Sequence, residues 1–340
     1  MKKREFRIDL MRVFACIMVL FCHSPQPYIG QPGRFLIGIT NYYGMAWGPI
    51  LFFMISGACI LWEEKDAKPF LKKRFSRILI PTLFWSIVYI FVQCFVWNTV
   101  PSENWLCMIP KILVEPQYGL LWFMYVLIAI YLVAPILSKW LNRSSKKEIE
   151  LYLGIWCIAL ALPYLEIFGV DYHFVLESGG VLYYMSGFLW CAVAGYYFRK
   201  YGKIEKMKPW HYLASAIALA SPVAVFLFKH FTGKTLNASL MLLPMALTAF
   251  GFLFIWNVRL QHRIVNEGGK LRRFIESVSK LSFGIYLSHM LVLYPFTQWL
   301  SHFNLHFAIH IPLTIVVSFV VSYLLSWLIS KFPFGKYIIG

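Results

Sequence analysis

The sequence predicts an all-α, polytopic integral membrane protein with about ten transmembrane helices and both termini in the cytoplasm. Apolar residue types make up 59% of the 340 residues, whereas globular proteins contain roughly 45–50% even with glycine counted. Charged residues make up 14%, against about 25% in a typical soluble domain, and the mean hydropathy is +0.63. This composition excludes a secreted enzyme, a disordered protein and a nucleic-acid-binding module. The lipid bilayer is the expected surrounding of the chain.

Ten stretches of the chain have the length and apolar character of a membrane-crossing helix, which needs about 20 residues. They lie at residues 8–26, 44–62, 78–98, 119–138, 150–169, 181–198, 210–228, 239–257, 281–300 and 308–330. Short polar segments separate them, and none is long enough to act as a linker between domains. We therefore expect one membrane domain over residues 1–340, with no appended soluble domain.

The basic residues indicate which side of the membrane is cytoplasmic, because Lys and Arg accumulate in cytoplasmic loops. The two terminal segments and every second loop hold 27 of the 32 Lys and Arg residues, and the other loops hold four. Both termini are therefore predicted to be cytoplasmic, as an even number of spans also requires. This topology explains the formal net charge of +17 without a nucleic-acid partner. The predicted location is the cell (inner or plasma) membrane.

The first span carries ionisable residues, which are functional candidates because their burial in lipid is costly unless they are paired or hydrated. Asp9 and Arg12 are three positions apart and can pair on one helix face. Arg12 and His23 also share a face, since eleven steps of 100° return to within about 20°, about 16 Å along the axis. A snorkelling arginine and a helix-packing histidine are the ordinary interpretations. Their shared face favours a functional pair, with Arg12 near the cytoplasmic rim.

A second basic cluster lies in the predicted second cytoplasmic loop, before the third span. Residues 72–77 read Lys-Lys-Arg-Phe-Ser-Arg. The cluster has an ordinary interpretation as a positive-inside signal. It also has a functional interpretation, because Arg74 and Arg77 share a helix face and guanidinium groups suit a polyphosphate ligand. The pattern alone leaves both interpretations open.

Two further groups of residues occur inside or beside the predicted spans. Three glycines of the second span are expected to allow close helix approach: Gly44, Gly48 and Gly57. The ninth span carries His289, with serine hydroxyls close by. A histidine triplet with a spacing of four could in principle bind a transition metal: His302, His306 and His310. No carboxylate or cysteine lies near the triplet, so we predict no metal site.

Four segments, in the same order along the chain, resemble the membrane acyltransferase 3 family of bacterial O-acyltransferases. The family motif of the first helix is a basic residue, ten residues and a histidine, which corresponds here to Arg12 and His23. Three further segments are similar to family landmarks: Phe-Phe-Met-Ile-Ser-Gly at residues 52–57, Arg74 to Pro81, and Tyr-Leu-Ser-His at residues 286–289. The resemblance covers the whole chain, including the expected spans and cytoplasmic termini.

The resemblance implies transfer of an acyl group, usually acetyl, from cytoplasmic acyl-CoA to a hydroxyl of an extracytoplasmic glycan, glycolipid or similar acceptor. Arg12, Arg74 and Arg77 are then predicted to bind this polyanionic donor, for which acetyl-CoA is the expected form. His23 and Arg12 are the predicted catalytic residues. A neutral imidazole can take the proton of the attacking hydroxyl, or it can carry the acyl group itself. The sequence leaves both routes open.

The acceptor is expected to bind near the predicted outer loop at residues 24–43, which follows His23. Tyr42, Tyr43 and His289 are the candidate acceptor contacts, although interfacial aromatic belts also contain tyrosines. The competing class is a transporter or flippase, for which ten spans and a charged first helix are equally suitable. Consumption of acyl-CoA separates the two classes, because a transporter does not require it. Acceptor identity, acyl length and oligomeric state are not predicted.

Overall fold

A computed structural model describes residues 5–29, 35–171, 173–176, 180–202, 208–232, 243–251 and 269–340. The described residues form helices joined by turns and short connections, with no β-strand among them. The prediction of an all-α protein is therefore confirmed for this part of the chain.

The helices are numbered in chain order. They are α1 (Phe6–His23), α2 (Phe35–Met45), α3 (Leu51–Ile60), α4 (Ala67–Phe95), α5 (Trp105–Lys111), α6 (Trp122–Arg143), α7 (Lys146–Ala161), α8 (His173–Leu176), α9 (Leu189–Tyr201), α10 (Pro209–Thr232), α11 (residues 243–251), α12 (Lys270–Ser301), α13 (Phe307–Ser330) and α14 (Gly335–Ile338). A π-helical turn, Ala46–Ile50, joins α2 to α3 and contains Pro49. Proline lacks the backbone N–H, which disrupts regular helical bonding at this point.

Five helical segments in the described part of the chain are long and apolar enough to cross a membrane. They are Ile37–Ile60, Ala67–Phe95, Gly119–Arg143, Lys146–Leu165 and Phe307–Ser330, and each overlaps a predicted stretch. Helix α1 differs from these five because Arg7, Asp9 and Arg12 fall within its 18 residues. Helix α9 has 13 residues, fewer than the stretch predicted at 181–198. The stretch predicted at 239–257 lies partly outside the described residues. Ten spans and cytoplasmic termini stay predictions.

Two segments that were predicted as loops are helical in the structure. The basic residues 72–77 belong to α4, which begins at Ala67. Pro69 stands in the first turn of this helix, where its missing N–H leaves no hydrogen bond unmade. Much of the predicted outer loop, from residue 35 to residue 43, belongs to α2. Asn41 and Tyr43 lie in this segment, and both bind backbone carbonyls of neighbouring helices.

The chain divides into two compact units. Unit 1 comprises Met1–Glu64 and Leu137–Glu276, and unit 2 comprises Lys65–Ile136 and Ser277–Gly340. Each unit therefore combines an earlier and a later part of the sequence, which the succession of apolar stretches does not indicate.

Glycines set the closest helix crossing in unit 1. Gly57 of α3 faces the Ala192 carbonyl of α9, and Gly195 of α9 faces the Met54 carbonyl of α3. A Cβ at either glycine would overlap the facing carbonyl oxygen. Glycine is thus required at both positions for the two backbones to touch, and the predicted packing role of Gly57 is confirmed.

Aromatic polar groups join the helices of unit 2. The Trp85 indole Nε1 donates to the Ile338 carbonyl at 3.0 Å, which ties α14 to α4. The Tyr89 hydroxyl donates to the Leu287 carbonyl of α12 at 2.8 Å. Buried hydroxyls need such partners, because an unpaired polar group in an apolar interior is costly. These bonds connect elements far apart in sequence.

Candidate active site

His23 is the last residue of α1, and the helix ends there for a clear reason. Ser24 still donates its N–H to the Leu20 carbonyl, but Pro25 then starts the short 3₁₀ turn Gln26–Tyr28. The imidazole is partly exposed, and the side-chain amide nitrogen of Gln26 lies 3.2 Å from Nδ1. Gln26 therefore holds the ring of His23 at its Nδ1 edge.

Helix α2 fixes the end of α1 that carries His23. The last carbonyls of a helix have no partner within the helix. Asn41 supplies one for Cys22, because its Nδ2 donates to the Cys22 carbonyl oxygen at 2.5 Å. Gly44 packs against the same residue, and a Cβ there would lie 2.6 Å from the Cys22 backbone nitrogen. Both residues contact the position immediately before His23, so the placement of its side chain depends on α2.

Substitution of Gly44 by Ala is expected to lower the activity of the protein at least tenfold. The added methyl group forces the end of α1 away from α2, which costs about 1–3 kcal/mol in a packed interface. Gly154→Ala in α7 is the matched control, because a Cβ at Gly154 meets no heavy atom within 4 Å. The control should retain its activity and gain up to about 1 kcal/mol from the better helix former. Equal activity of the two purified variants would contradict the role of Gly44.

Arg12 lies in α1 with two loose contacts. Its Nη1 is 3.9 Å from Asp9 Oδ1, and its Nη2 is 3.6 Å from the Cys59 sulfur. The predicted Asp9–Arg12 pair is thus confirmed. The Asp9 side chain is 2% exposed, whereas that of Arg12 is 33% exposed. Since a guanidinium has five N–H donors and both contacts are long, Arg12 can still bind an anionic ligand.

Arg199 of α9 is a structural arginine that the sequence did not single out. Its Nη1 donates to the Ala58 carbonyl at 2.7 Å, and its Nη2 pairs with Glu5. Its Cζ also lies 4.3 Å from the centroid of the Trp62 ring. Arg199 therefore links the start of α1 to the end of α3. No local motif marks this role, because Glu5 and Arg199 are 194 positions apart.

Arg74 and Arg77 lie near the start of α4 in unit 2, and their surroundings differ. The Arg74 Cζ is 5.7 Å from the Phe70 ring centroid and 5.6 Å from that of Tyr131 in α6. Cation–π contacts of this kind orient a guanidinium without using its N–H donors. Arg77 is exposed. The two arginines are thus three positions apart on one helix, and aromatic rings orient the first of them.

His289 of α12 is enclosed within unit 2. The residue is 1% exposed, and Nδ1 lies 2.6 Å from the Tyr286 carbonyl oxygen. A carbonyl only accepts, so Nδ1 carries the proton and donates it. The Tyr286 hydroxyl in turn donates to the Leu120 carbonyl at 2.6 Å. These contacts favour a role in helix packing, and a contact of His289 with the acceptor stays a prediction.

The two tyrosines predicted to contact the acceptor lie in α2. The Tyr43 hydroxyl donates to the Leu219 carbonyl of α10, and its ring centroid is 4.9 Å from that of Trp47. Tyr43 therefore joins α2 to α10 within unit 1. The side chain of Tyr42 lies outside the described part of the structure.

The histidine triplet does not form a metal site in the described residues. His302 and His306 are exposed, and the His306 ring accepts the Ala308 N–H at the start of α13. His310 is buried within α13. No group of three His, Cys, Asp or Glu side chains in the described ranges could hold a metal ion.

The five long apolar helices indicate that the chain is a membrane protein. A family model described as an acyltransferase domain matches residues 5–331, nearly the whole chain. The chain therefore belongs to the acyltransferase 3 family, and the resemblance found in its motifs is confirmed. Membership supports activity as a membrane acyltransferase. No curated protein and no solved structure matches the chain.

Proposed function

We propose that this protein is an acyl-CoA-dependent O-acyltransferase of the cell membrane. It transfers an acyl group, acetyl in the simplest form, to a hydroxyl of an extracytoplasmic glycan or glycolipid. The observation that carries the proposal is His23, whose imidazole is held by Gln26 at the end of α1 in a chain of an acyltransferase family. An imidazole whose ring is oriented by a hydrogen-bond partner is suited to proton transfer.

In the general-base route, the neutral ring of His23 carries its proton on Nδ1, and Nε2 removes the proton from the acceptor hydroxyl as the hydroxyl oxygen attacks the thioester carbonyl. The new C–O bond forms, the C–S bond breaks, and the thiolate leaves with the proton from the imidazolium. Gln26 supports this cycle because an amide offers an oxygen as well as an N–H group. With its amide oxygen turned toward Nδ1–H, Gln26 selects this tautomer and also stabilises the imidazolium that forms.

In the nucleophilic route, His23 attacks the thioester carbonyl itself and the thiolate leaves first. The acyl-imidazole then passes its acyl group to the acceptor hydroxyl, and the proton of the hydroxyl goes to the imidazole as the C–N bond breaks. Incubation of the purified protein with acetyl-CoA and no acceptor separates the routes. If His23 carries the acyl group, intact-protein mass spectrometry should detect an added acetyl group on the wild type that is missing from His23→Ala.

The arginines are proposed to bind the donor through its phosphates. Arg74 and Arg77 present two guanidinium groups from the start of α4, and the rings beside Arg74 restrict its orientation. Planar forks of N–H donors match phosphate oxygens better than a single ammonium group does. Arg12 is proposed to place the donor through its remaining N–H donors.

Replacement of both Arg74 and Arg77 by Gln is expected to raise the apparent KM for acyl-CoA at least tenfold. A charge-assisted hydrogen bond contributes about 1.5–3 kcal/mol, and about 1.4 kcal/mol corresponds to a factor of ten. The KM for the acceptor should change little. Lys72 and Lys73, both exposed in the same turns of α4, provide the matched double Gln control. If the two double variants had the same KM for acyl-CoA, the basic residues 72–77 would act only as a positive-inside signal.

The proposed topology has ten spans with both termini in the cytoplasm. It predicts that Cys107, exposed in α5, faces the outside and that residues 139–149 face the cytoplasm. A variant that retains only Cys107 should react with a membrane-impermeant thiol reagent in intact cells. A cysteine placed at the exposed Lys147 in the same background should react only after lysis. The reverse labelling pattern would overturn the orientation.

Mass spectrometry of surface glycans from cells with and without the protein tests the proposed reaction. We expect acyl esters that disappear when the protein is absent and return with the wild-type chain. Unmodified glycans in both strains, with a change in their amount at the surface, would instead favour a flippase or transporter.

A further inference from the structure

A cavity of about 330 Å³ opens in unit 2 where α12, α13 and α14 meet. Its polar lining comes from Ser277 and Lys280 of α12, Ser330 of α13 and Lys336 of α14, and Trp327 adds an indole ring. Ligand pockets in proteins typically have volumes of about 300–1,000 Å³. The cavity is therefore large enough for a small ligand or for one end of a larger one.

The charged side chains that line the cavity are all basic. Lys280 and Lys336 line it, and no Asp or Glu side chain does. Residues 277–340 contain no Asp or Glu at all. Neither lysine forms an ion pair with a described residue, and the Lys336 ammonium lies over the Tyr337 ring, 5.1 Å from its centroid. Gly340 also lines the cavity and contributes at most one main-chain carboxylate, so the two ammonium groups leave a net positive charge that attracts an anion.

Several contacts fix the wall that carries Lys336. Gly335 packs so closely against the Ile329 carbonyl that a Cβ would overlap it. Ile339 packs against Gly284 of α12, where a Cβ would lie 3.0 Å from the Ile339 side chain. The bond from Trp85 to the Ile338 carbonyl adds a third anchor. Lys336 thus belongs to a defined turn of the chain, which gives the cavity a fixed shape.

We propose that this cavity binds the phosphate of an organic phosphate ester, with Lys280 and Lys336 as charged donors and the Trp327 ring as a flat wall. Two sources share this chemistry: the nucleotide end of the acyl donor and the headgroup of an anionic phospholipid. The nucleotide source rests on the function proposed above. The bond from Trp85 ties α14 to α4 about two turns, roughly 12 Å, along the helix from Arg77, a proposed donor contact.

Binding to the purified full chain tests the proposal without any acyl transfer. The probe for the nucleotide source is adenosine 3′,5′-bisphosphate, measured by titration calorimetry in detergent. The probe for the lipid source is phosphatidylglycerol retained from mixed phosphatidylcholine vesicles, counted by native mass spectrometry. The variant is Lys280→Gln with Lys336→Gln, and Lys147→Gln in unit 1 is the matched control. All three lysines are exposed, so the unfolding temperature should not change.

We expect the double variant to bind at least one probe tenfold or more weakly than the wild type and the control do. Loss of nucleotide binding identifies the donor as the source, and loss of lipid preference alone identifies the headgroup. A double Arg variant should keep the binding, because the charge is retained. Unchanged binding of both probes would overturn the proposal. Acetyl-CoA consumption by the wild type reports separately on the proposed function, so the two ideas can fail independently.

Discussion

His23→Ala should lower the rate of acyl transfer by about 10²–10⁴, the contribution of a general base, while the protein remains inserted and folded. A nucleophilic role predicts a loss at least as large. A packing histidine would give a smaller loss together with a lower unfolding temperature. The substitution removes the ring that Gln26 holds, but it leaves the bond from Asn41 to the Cys22 carbonyl in place. The end of α1 should therefore keep its position.

Two other histidines serve as controls for this experiment. His302→Ala changes an exposed residue at the end of α12 and should leave the rate unchanged. His289→Ala should lower the rate moderately and lower the unfolding temperature, since the ring bonds the Tyr286 carbonyl in an enclosed site. A purified His23→Ala protein with a near-normal rate would contradict the catalytic assignment. It would then shift attention to His289 as the base.

Arg12→Ala is expected to give the second large effect, through placement of the acyl donor. The loss should appear as a raised KM for acyl-CoA together with a lower kcat, because a misplaced thioester reacts slowly. Arg12→Lys should be partly active, since it keeps the charge but loses the planar fork. Kinetics at varied donor concentration measure both parameters.

The Asp9 carboxylate complicates the Arg12 experiment and also provides its control. Asp9 is 2% exposed, and loss of Arg12 leaves it with one cation fewer, which destabilises the start of α1. The double change Asp9→Asn with Arg12→Ala removes both charges. If the double variant regains stability but stays inactive, the loss of activity belongs to Arg12. Recovery of activity in the double variant would show that Arg12 acts only by pairing with Asp9.

The sequence predicted those features that follow from local spacing. The helical class follows from the long apolar stretches, and the Asp9–Arg12 pair follows from a separation of three on a helix. Gly57 could be identified as a packing residue because glycine in an apolar helix commonly marks a crossing. The motif of Arg12 and His23 also identified the family that the chain belongs to.

Features that depend on distant contacts could not be predicted from one sequence. Asn41 looked like a residue of an outer loop, yet its amide binds the Cys22 carbonyl 19 positions earlier. The acceptor contact of Tyr43 stays a prediction, but the sequence did not indicate that its hydroxyl bonds a carbonyl 176 positions later. Every residue has a backbone carbonyl, so the sequence does not show which carbonyl a polar side chain will bind. Such a side chain is therefore easily predicted to be exposed. The partners of Arg199 were hidden for the same reason.

Transfer of a labelled acetyl group by the purified protein tests the central claim most directly. The protein is reconstituted in vesicles with acetyl-CoA that carries ¹³C in its acetyl group. The acceptor is surface glycan extracted from cells that lack the protein. Mass spectrometry measures the labelled ester, and a thiol reagent measures free CoA. We predict one free thiol for each labelled ester, and neither product with His23→Ala. Intact acetyl-CoA and unlabelled glycan, with the wild-type protein folded and correctly inserted, would contradict the account.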